Sequence, residues 1–134
     1  MKSYFLALIV LAATLSVSAK NYDLSQYGIQ ANTTINSAPL LVNAIREIVA
    51  GHQSDTPIVL RFTKGKYHFY PTAALEREYY ISNHDQTNPK STGIPLEGLK
   101  NLELDGQGAE FIFHGRMLPL SLIDCENCTL KNFS

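Results

Sequence analysis

The sequence predicts an all-β protein with one N-terminal capping helix, folded as the first coils of a parallel β-helix. Three observations predict this fold. Helical spacing of apolar residues occurs once, before residue 52, and two-residue alternation follows in several short segments after Pro57. Residues 100–106 also match residues 126–132 at a spacing of 26. A β-helix coil buries its apolar face only against the next coil, so such a repeat favours a solenoid over antiparallel hairpins that match by chance.

The composition excludes several classes of protein. With 45% hydrophobic and 17% charged residues among 134, the chain is neither a disordered tail nor a coiled coil. The net charge of -1 offers no basic surface, so we expect no nucleic-acid partner. Two cysteines are too few for a disulfide-stapled miniprotein.

Residues 1–19 are predicted to be a signal peptide. Lys2 supplies a positive charge, residues 4–13 form an apolar run, and small or aliphatic residues occupy positions 17–19. Cleavage between Ala19 and Lys20 would deliver a secreted or periplasmic protein. The apolar run is too short to cross a bilayer, so no integral membrane segment is expected after its removal. The alternative is a buried N-terminal core helix.

Residues 20–56 are predicted to form an N-terminal segment and the capping helix. Residues 21–36 are polar and rich in turn-forming residues. Ser37 is the expected N-cap, and Gly51 stands where the helix should stop. The apolar stripe of the helix comprises Leu41, Ile45, Ile48 and Val49.

Residues 57–134 are predicted to be the first coils of the solenoid, incomplete at the C-terminal end. Alternation predicts strands over 58–62, 67–69, 102–104, 111–113, 118–122 and 128–130. A long loop is expected over 71–95, with a possible helical turn at 73–77. The repeat would place partners of Phe111 and Phe113 at 137 and 139, so the last apolar layers should lack a cover and the chain should be poorly stable.

The repeat also predicts specific turn residues. Asn101 and Asn127 should stack at one corner and bond to each other through their amides. Gly106 and Asn132 should occupy equivalent left-handed positions, because Gly and Asn tolerate a positive φ.

No metal site is predicted. The four histidines are scattered, and Cys125 and Cys128 have no nearby His to complete a zinc site. On an extended strand these two cysteines would point to opposite faces, so two part-buried thiols are expected. A disulfide between them would require a tight turn and is left open.

Two groups of residues are candidates for chemistry. Glu103 and Asp105 flank Leu104 on one face, at a spacing of about 6.6 Å, and are weak candidates for a catalytic carboxylate pair. Their counterparts Thr129 and Lys131 are typical of solvated exterior. A dense polar and aromatic stretch offers weak candidates for binding a sugar, or else forms a packed structural loop. Those candidates are Tyr79, Tyr80, Asn83, His84 and Asp85.

Several motifs resemble a known enzyme family. They are residues 58–62 with Gly65, the run 79–86, Asn88-Pro89-Lys90, Asp105-Gly106-Gln107-Gly108 and Gly115-Arg116-Met117. Together they resemble the N-terminal part of the alpha-1,3-galactosidases of glycoside hydrolase family 110, particularly the B type of Bacteroides.

The resemblance implies a right-handed, pectate-lyase-like β-helix. It also implies an exo-acting, inverting enzyme that releases terminal alpha-1,3-linked galactose, including that of blood-group B glycans, without a cofactor. Family members are far longer, and no position here matches their catalytic aspartates, which lie on later coils. The resemblance therefore implies that this fragment alone is inactive and contains no catalytic residue.

Two other function classes remain open on the same fold. One is a non-catalytic surface β-helix that binds glycans, and the other is a polysaccharide lyase or pectinase-like enzyme. Paired outward Asp residues in a continuation would favour the hydrolase, and a calcium-binding Asp cluster would favour the lyase. The sequence leaves the oligomeric state open.

Overall fold

The computed structural model describes residues 17–80 and 87–134. Most of the predicted signal peptide therefore lies outside the described residues. Within these ranges the chain forms one α helix, one 3-10 helix and eight strands. In chain order they are β1 (Lys20–Asp23), the 3-10 helix (Leu24–Tyr27), α1 (Ser37–Gly51), β2 (Ile58–Arg61), β3 (Lys66–Phe69), β4 (Leu75–Arg77), β5 (Lys90–Glu97), β6 (Lys100–Phe113), β7 (Leu118–Ile123) and β8 (Glu126–Phe133).

The predicted fold class is confirmed in its main outline, because the described residues are mostly β, include one α helix and pair their strands largely in parallel. One sheet runs β1-β2-β6, with β8 on the other side of β6. Strand β3 pairs in parallel with the second half of β6. In a separate sheet β5 pairs in parallel with β7, and β4 adds an antiparallel edge.

The chain passes twice over the same three faces. It runs through β2, β3 and β5, then through the first half of β6, the second half of β6 and β7, and returns to the first face in β8. We call one such passage a circuit. Parallel register aligns Ile58 with Leu102 and Leu60 with Leu104, so apolar residues of successive circuits stack on one another.

The core lies between these faces and α1. Leu60 and Leu104 are fully buried, and a group of aromatic rings fills the space beside them. The Phe62 and Tyr67 rings meet edge to face with centroids 4.9 Å apart, which is a favoured geometry for aromatic pairs. The aromatic group comprises Phe62, Tyr67, Phe69 and Phe111.

Helix α1 spans the predicted residues, but its cap differs from the prediction. The N-cap is Asn36, whose side chain accepts a hydrogen bond from the Ala38 N–H, and Ser37 is the first helical residue. The Asn36 amide also donates to the carbonyls of Tyr70 at 3.3 Å and Thr72 at 2.6 Å, whereas a Ser hydroxyl has only one hydrogen to donate. The buried stripe contains Leu41, Ala44, Ile45 and Ile48, whereas Val49 is 39% exposed.

The loop predicted over 71–95 is wrong in two places. Residues 75–77 form β4 rather than a helical turn, and residues 90–97 form β5. Gly93 and Pro95 interrupt the alternation that identifies a strand, which hid β5 from the sequence. Gly93 is required there because a Cβ atom would lie 2.5 Å from the Phe113 ring.

The N-terminal segment is more ordered than its polar composition indicated. Strand β1 begins at Lys20 and extends the first sheet by pairing in parallel with β2. Leu24 and Ile29 are buried in the same core. The segment therefore packs into the same core as the later strands.

The 26-residue repeat holds along one face and then changes. Register is maintained from Lys100 with Glu126 to Asp105 with Lys131, after which Ala109 pairs with Phe133. β6 therefore contains two more residues than β8 at this corner, and the partners expected at 137 and 139 do not follow from the observed register.

The predicted asparagine ladder is confirmed. The Asn127 side-chain amide donates to the Asn101 carbonyl oxygen at 2.8 Å. Both residues have positive φ, 51° and 53°, and both are exposed rather than buried.

The prediction of equivalent left-handed positions is right for Asn132 and wrong for Gly106. Asn132 has φ 60°, but on β6 the residues with positive φ at this corner are Gln107 and Gly108. Gly106 is needed for space, because a Cβ atom would lie 2.7 Å from the backbone oxygen of Asn132 and 2.8 Å from the Cβ of Phe133. The glycine permits β8 to approach β6 closely.

Charges alternate across the first sheet. Asp23 aligns with Arg61, Arg61 with Asp105, and Asp105 with Lys131. We call these four residues the charge ladder. Arg61 and Lys131 both lower the pKa of Asp105 through their charges, so the two steps of the ladder at Asp105 favour the observed register.

Candidate functional site

The two candidate catalytic carboxylates lie on β6 and flank the buried Leu104, as predicted. The Glu103 carboxylate forms an ion pair with Lys131, with 2.8 Å between Oε1 and Nζ. The Asp105 carboxylate accepts hydrogen bonds from the Asn132 amide at 2.9 Å and from the Gln107 N–H at 3.0 Å. Asp105 is only 7% exposed, so it is not the solvated residue that the repeat indicated.

These contacts favour a structural role for both carboxylates. The hydrogen bond from Asn132 lowers the pKa of Asp105 more than burial raises it. A general acid in a glycosidase needs the opposite shift, because its carboxyl must hold a proton near neutral pH. Glu103 and Asp105 join β6 to β8 instead of presenting an open pair to a substrate.

The candidate sugar-binding residues separate into three groups. Tyr79 is part-buried, and its hydroxyl donates to Glu97 at 2.9 Å. The Tyr80 side chain is 87% exposed. Asn83, His84 and Asp85 lie outside the described residues.

Tyr79 belongs to a polar group that the sequence did not predict. The Arg77 guanidinium donates three hydrogen bonds to Glu97, from Nε to Oε1 at 3.0 Å and to Oε2 at 3.3 Å, and from Nη2 to Oε2 at 3.2 Å. The Tyr79 hydroxyl also meets the Ser121 hydroxyl at 3.1 Å. We call Arg77, Tyr79, Glu97 and Ser121 the Glu97 cluster. Arg77, Glu97 and Ser121 lie on β4, β5 and β7, and Tyr79 lies just after β4, so the pairing of these three strands brings the cluster together.

The Glu97 carboxylate is held in its ionised form. Burial raises its pKa, but the hydrogen bonds from Arg77 and Tyr79 outweigh burial, and the net shift is downward. Burial also raises the pKa of the Tyr79 hydroxyl, which remains a donor at neutral pH. The contacts therefore make the cluster an ion pair with hydrogen-bonded hydroxyl groups around the carboxylate.

A cavity of about 330 Å³ lies between α1 and the strands β4 and β5. Its wall is mostly apolar, and Arg46, Arg77 and Glu97 supply the polar side. The apolar wall is formed by Val42, Ile45, Val49, Ala50, Leu75, Pro95 and Leu99.

Two histidines meet beside Tyr70. His68 Nδ1 and His114 Nε2 are 2.7 Å apart, and the Tyr70 ring stacks on His114 with centroids 4.2 Å apart. All three side chains are part-buried. In the described part of the chain no three His, Cys, Asp or Glu side chains converge as metal ligands.

Comparisons with known proteins identify the relatives of the chain. No protein-family model matches it. A protein of Phocaeicola vulgatus named alpha-1,3-galactosidase B is 54% identical over 126 residues, which cover 94% of this chain and 21% of the relative. The chain is homologous to the alpha-1,3-galactosidases B. A second protein of that name, from Bacteroides fragilis, is 49% identical over 139 residues, covering 100% of this chain and 23% of the relative.

The match extends to the A type at lower identity. An alpha-1,3-galactosidase A of Shewanella woodyi is 36% identical over 115 residues, covering 86% of this chain and 18% of the relative. The chain therefore spans about a fifth of the length of the curated relatives it matches. The resemblance inferred from the motifs is confirmed, and the full-length relatives are glycosidases by name.

None of the helices in residues 17–80 and 87–134 has the length and apolar character needed to cross a bilayer.

Proposed function

We propose that this chain is the N-terminal part of an exo-acting glycoside hydrolase that releases terminal alpha-1,3-linked galactose, including that of blood-group B glycans. The observation that carries the proposal is the 54% identity to a protein named alpha-1,3-galactosidase B over 94% of the chain. The substrate is a galactose-terminated glycan, and the reaction needs no cofactor.

The proposed mechanism is inversion by a single displacement. A general acid protonates the departing glycosidic oxygen while a general base activates water on the opposite face of the sugar, and the two carboxyls stand about 6.5–9.5 Å apart. Glu97, Glu103 and Asp105 all hold strong internal partners. We therefore assign the catalytic pair to the part of the enzyme beyond the fifth that this chain spans, and we expect this chain alone to be inactive.

The proposed architecture is the start of a right-handed parallel β-helix. Its support is the order of strand pairing, in which two circuits visit the same three faces in parallel register. The last strands also carry exposed apolar side chains, with Leu122 at 43%, Ile123 at 41% and Phe133 at 38% exposure. A further circuit packed on β7 and β8 would bury them, at a gain of about 25 cal/mol per Å² of apolar surface.

Export is part of the proposal. The residue predicted to begin the mature chain, Lys20, is also the first residue of β1, so cleavage after Ala19 would leave the sheet intact. N-terminal sequencing of protein secreted by a bacterial host should find Lys20 first. A mature protein that begins at Met1 would contradict both the cleavage site and the periplasmic or secreted location.

A chimera tests the enzymatic proposal. Residues 20–134 would replace the matched segment of the Phocaeicola vulgatus relative, and galactose release from an alpha-1,3-linked galactoside would be compared with that of the parent and of a deletion lacking the segment. We expect activity in the chimera and none in the deletion or in the isolated chain. Proton NMR of early product should show the β anomer of galactose, as inversion requires.

Three outcomes would contradict the proposal. Release of galactose by the isolated chain would place the catalytic pair within it. The α anomer as first product would exclude inversion. A folded chimera that binds the galactoside without cleaving it would favour the glycan-binding module.

A further inference from the structure

The corner between β7 and β8 places two cysteine side chains together. Asp124 and Asn127 have positive φ, 51° and 53°, so the backbone turns sharply at the corner instead of running straight. The Cys125 thiol donates to the carbonyl of Leu96 at 3.3 Å, and the Cys128 thiol donates to that of Leu99 at 3.4 Å. Both thiols therefore point toward one corner of the preceding circuit. The expectation of opposite faces assumed an extended strand and is wrong.

The preceding circuit shows why both side chains face inward. Register aligns Cys128 with Leu102, which is 2% exposed, and Leu99 precedes Leu102 by the same three residues. Leu99 packs against the core, as Cys125 does. At this corner Leu99 and Leu102 pack inward in one circuit. Cys125 and Cys128 occupy the equivalent positions in the next circuit.

The two thiols also interact with each other. Burial raises the pKa of Cys128, and the neighbouring Cys125 thiol raises it further. Both side chains are part-buried, so a small oxidant in solution can reach them. A disulfide requires Cα atoms within about 7 Å and side chains that can meet, and the turned corner directs both thiols to the same inner side of the circuit.

We propose that Cys125 and Cys128 form a reversible disulfide that fastens the corner from which β8 begins. Neither the galactosidase homology nor the proposed catalytic pair assigns a role to these residues. Disulfide formation depends only on the geometry of the corner between β7 and β8. Its occurrence in the natural protein rests on the proposed export, because disulfides persist in oxidising compartments.

The oxidation is a balanced exchange with a low-molecular-weight disulfide such as glutathione disulfide. The Cys125 thiolate attacks one sulfur of glutathione disulfide, the S–S bond breaks, and one glutathione leaves as its thiolate. The Cys128 thiolate then attacks Cys125 Sγ and releases the second glutathione. The two thiols lose two protons and two electrons, and glutathione disulfide is reduced to two glutathione molecules.

The test follows the thiols of the folded protein. The reduced mature chain would be incubated with glutathione disulfide, its free thiols titrated under denaturing conditions, and its intact mass measured. We expect both thiols to be lost, the mass to fall by about 2 Da, and no glutathione to be retained. Cys125→Ser and Cys128→Ser are the matched controls, and each should retain one glutathionyl group because it lacks a resolving thiol.

Several results would overturn the proposal. Wild-type protein that keeps two free thiols, retains glutathione, or forms only intermolecular dimers would show that the corner does not bring the sulfurs together. Because the wild-type mass is decisive by itself, a failure of either variant to fold leaves the test valid. None of these readouts measures galactose release, so they are independent of the proposed activity.

Discussion

Replacing Gly106 by alanine should destabilise the protein by forcing two strands apart. The new Cβ would lie 2.7 Å from the Asn132 backbone oxygen and 2.8 Å from the Phe133 Cβ. Neither atom is the end of a flexible side chain, so β8 must shift. Overpacking of this kind costs about 1–3 kcal/mol, and the shift weakens the adjacent backbone bonds of Ser134, at about 1 kcal/mol each. We expect the free energy of unfolding to fall by about 2–3 kcal/mol.

Substitutions at two other glycines distinguish the cost of steric crowding from the cost of an unfavourable backbone conformation. Gly51 ends α1 with open space around it, so Gly51→Ala should stabilise by about 0.4–1 kcal/mol. Gly98 has φ 63° and also lies in open space, so Gly98→Ala measures the cost of a positive φ alone, about 1–2 kcal/mol.

Urea unfolding followed by tyrosine fluorescence gives these free energies, since the chain has seven Tyr and no Trp. Hydrogen exchange of the Phe111 and Ser134 amides reports whether β8 has moved. The decisive variant is Gly106→Asn. If Gly106 were needed for a left-handed backbone, Asn would be tolerated there as it is at 132. A Gly106→Asn protein as stable as the wild type would refute the steric argument.

Three further substitutions test the polar contacts. Asn132→Ala should lower the unfolding free energy by about 1.5–3 kcal/mol at neutral pH, because it removes a hydrogen bond to the ionised Asp105. The lowered pKa of Asp105 adds stability above its unfolded value of about 3.9 and loses it as pH falls through the folded value. The gap between variant and wild type should therefore narrow in acid to the pH-independent cost of placing Ala at the positive φ of residue 132, about 1–2 kcal/mol. Lys131→Ala breaks an exposed ion pair with Glu103, and its smaller effect should vanish at high ionic strength in salt-dependent unfolding. Tyr79→Phe should cost about 1–2 kcal/mol in thermal unfolding, and no loss would show that its hydroxyl bonds are not formed in solution.

The sequence predicted those elements whose pattern is local. Helix α1 followed from apolar residues at helical spacing, and β2 and β3 from simple alternation. The asparagine ladder followed from the repeat, because matching positions in successive circuits are neighbours in space. In these cases the determining contacts join residues that a sequence pattern relates directly.

The missed elements depend on contacts between distant residues. Strand β5 contains Gly93, which is dictated by the Phe113 ring, and no local rule relates the two. The N-cap is Asn36 because its amide reaches Thr72 as well as the helix. The requirement for glycine at position 106 was attributed to a positive φ, but its cause is crowding by β8. A residue type indicates conformational freedom, whereas crowding by another strand is visible only in the structure.

The candidate site was predicted least well. Glu103 and Asp105 were placed on the correct face, but their partners Lys131 and Asn132 become visible only when β8 is paired with β6. The Glu97 cluster draws on β4, β5 and β7, and two of those strands lay in a predicted loop. Charges of opposite sign 20 residues apart, as in Arg77 and Glu97, give no signal without that pairing.

The charge ladder limits how such a protein can grow by duplication. Its signs run negative, positive, negative, positive across four neighbouring strands, from Asp23 to Lys131. Copying the single stretch that contains Asp105 and inserting it beside the original would set two carboxylates directly opposite each other, which is destabilising. Copying two adjacent stretches together would keep the alternation. Gene duplications that lengthen this sheet are therefore expected to succeed in pairs.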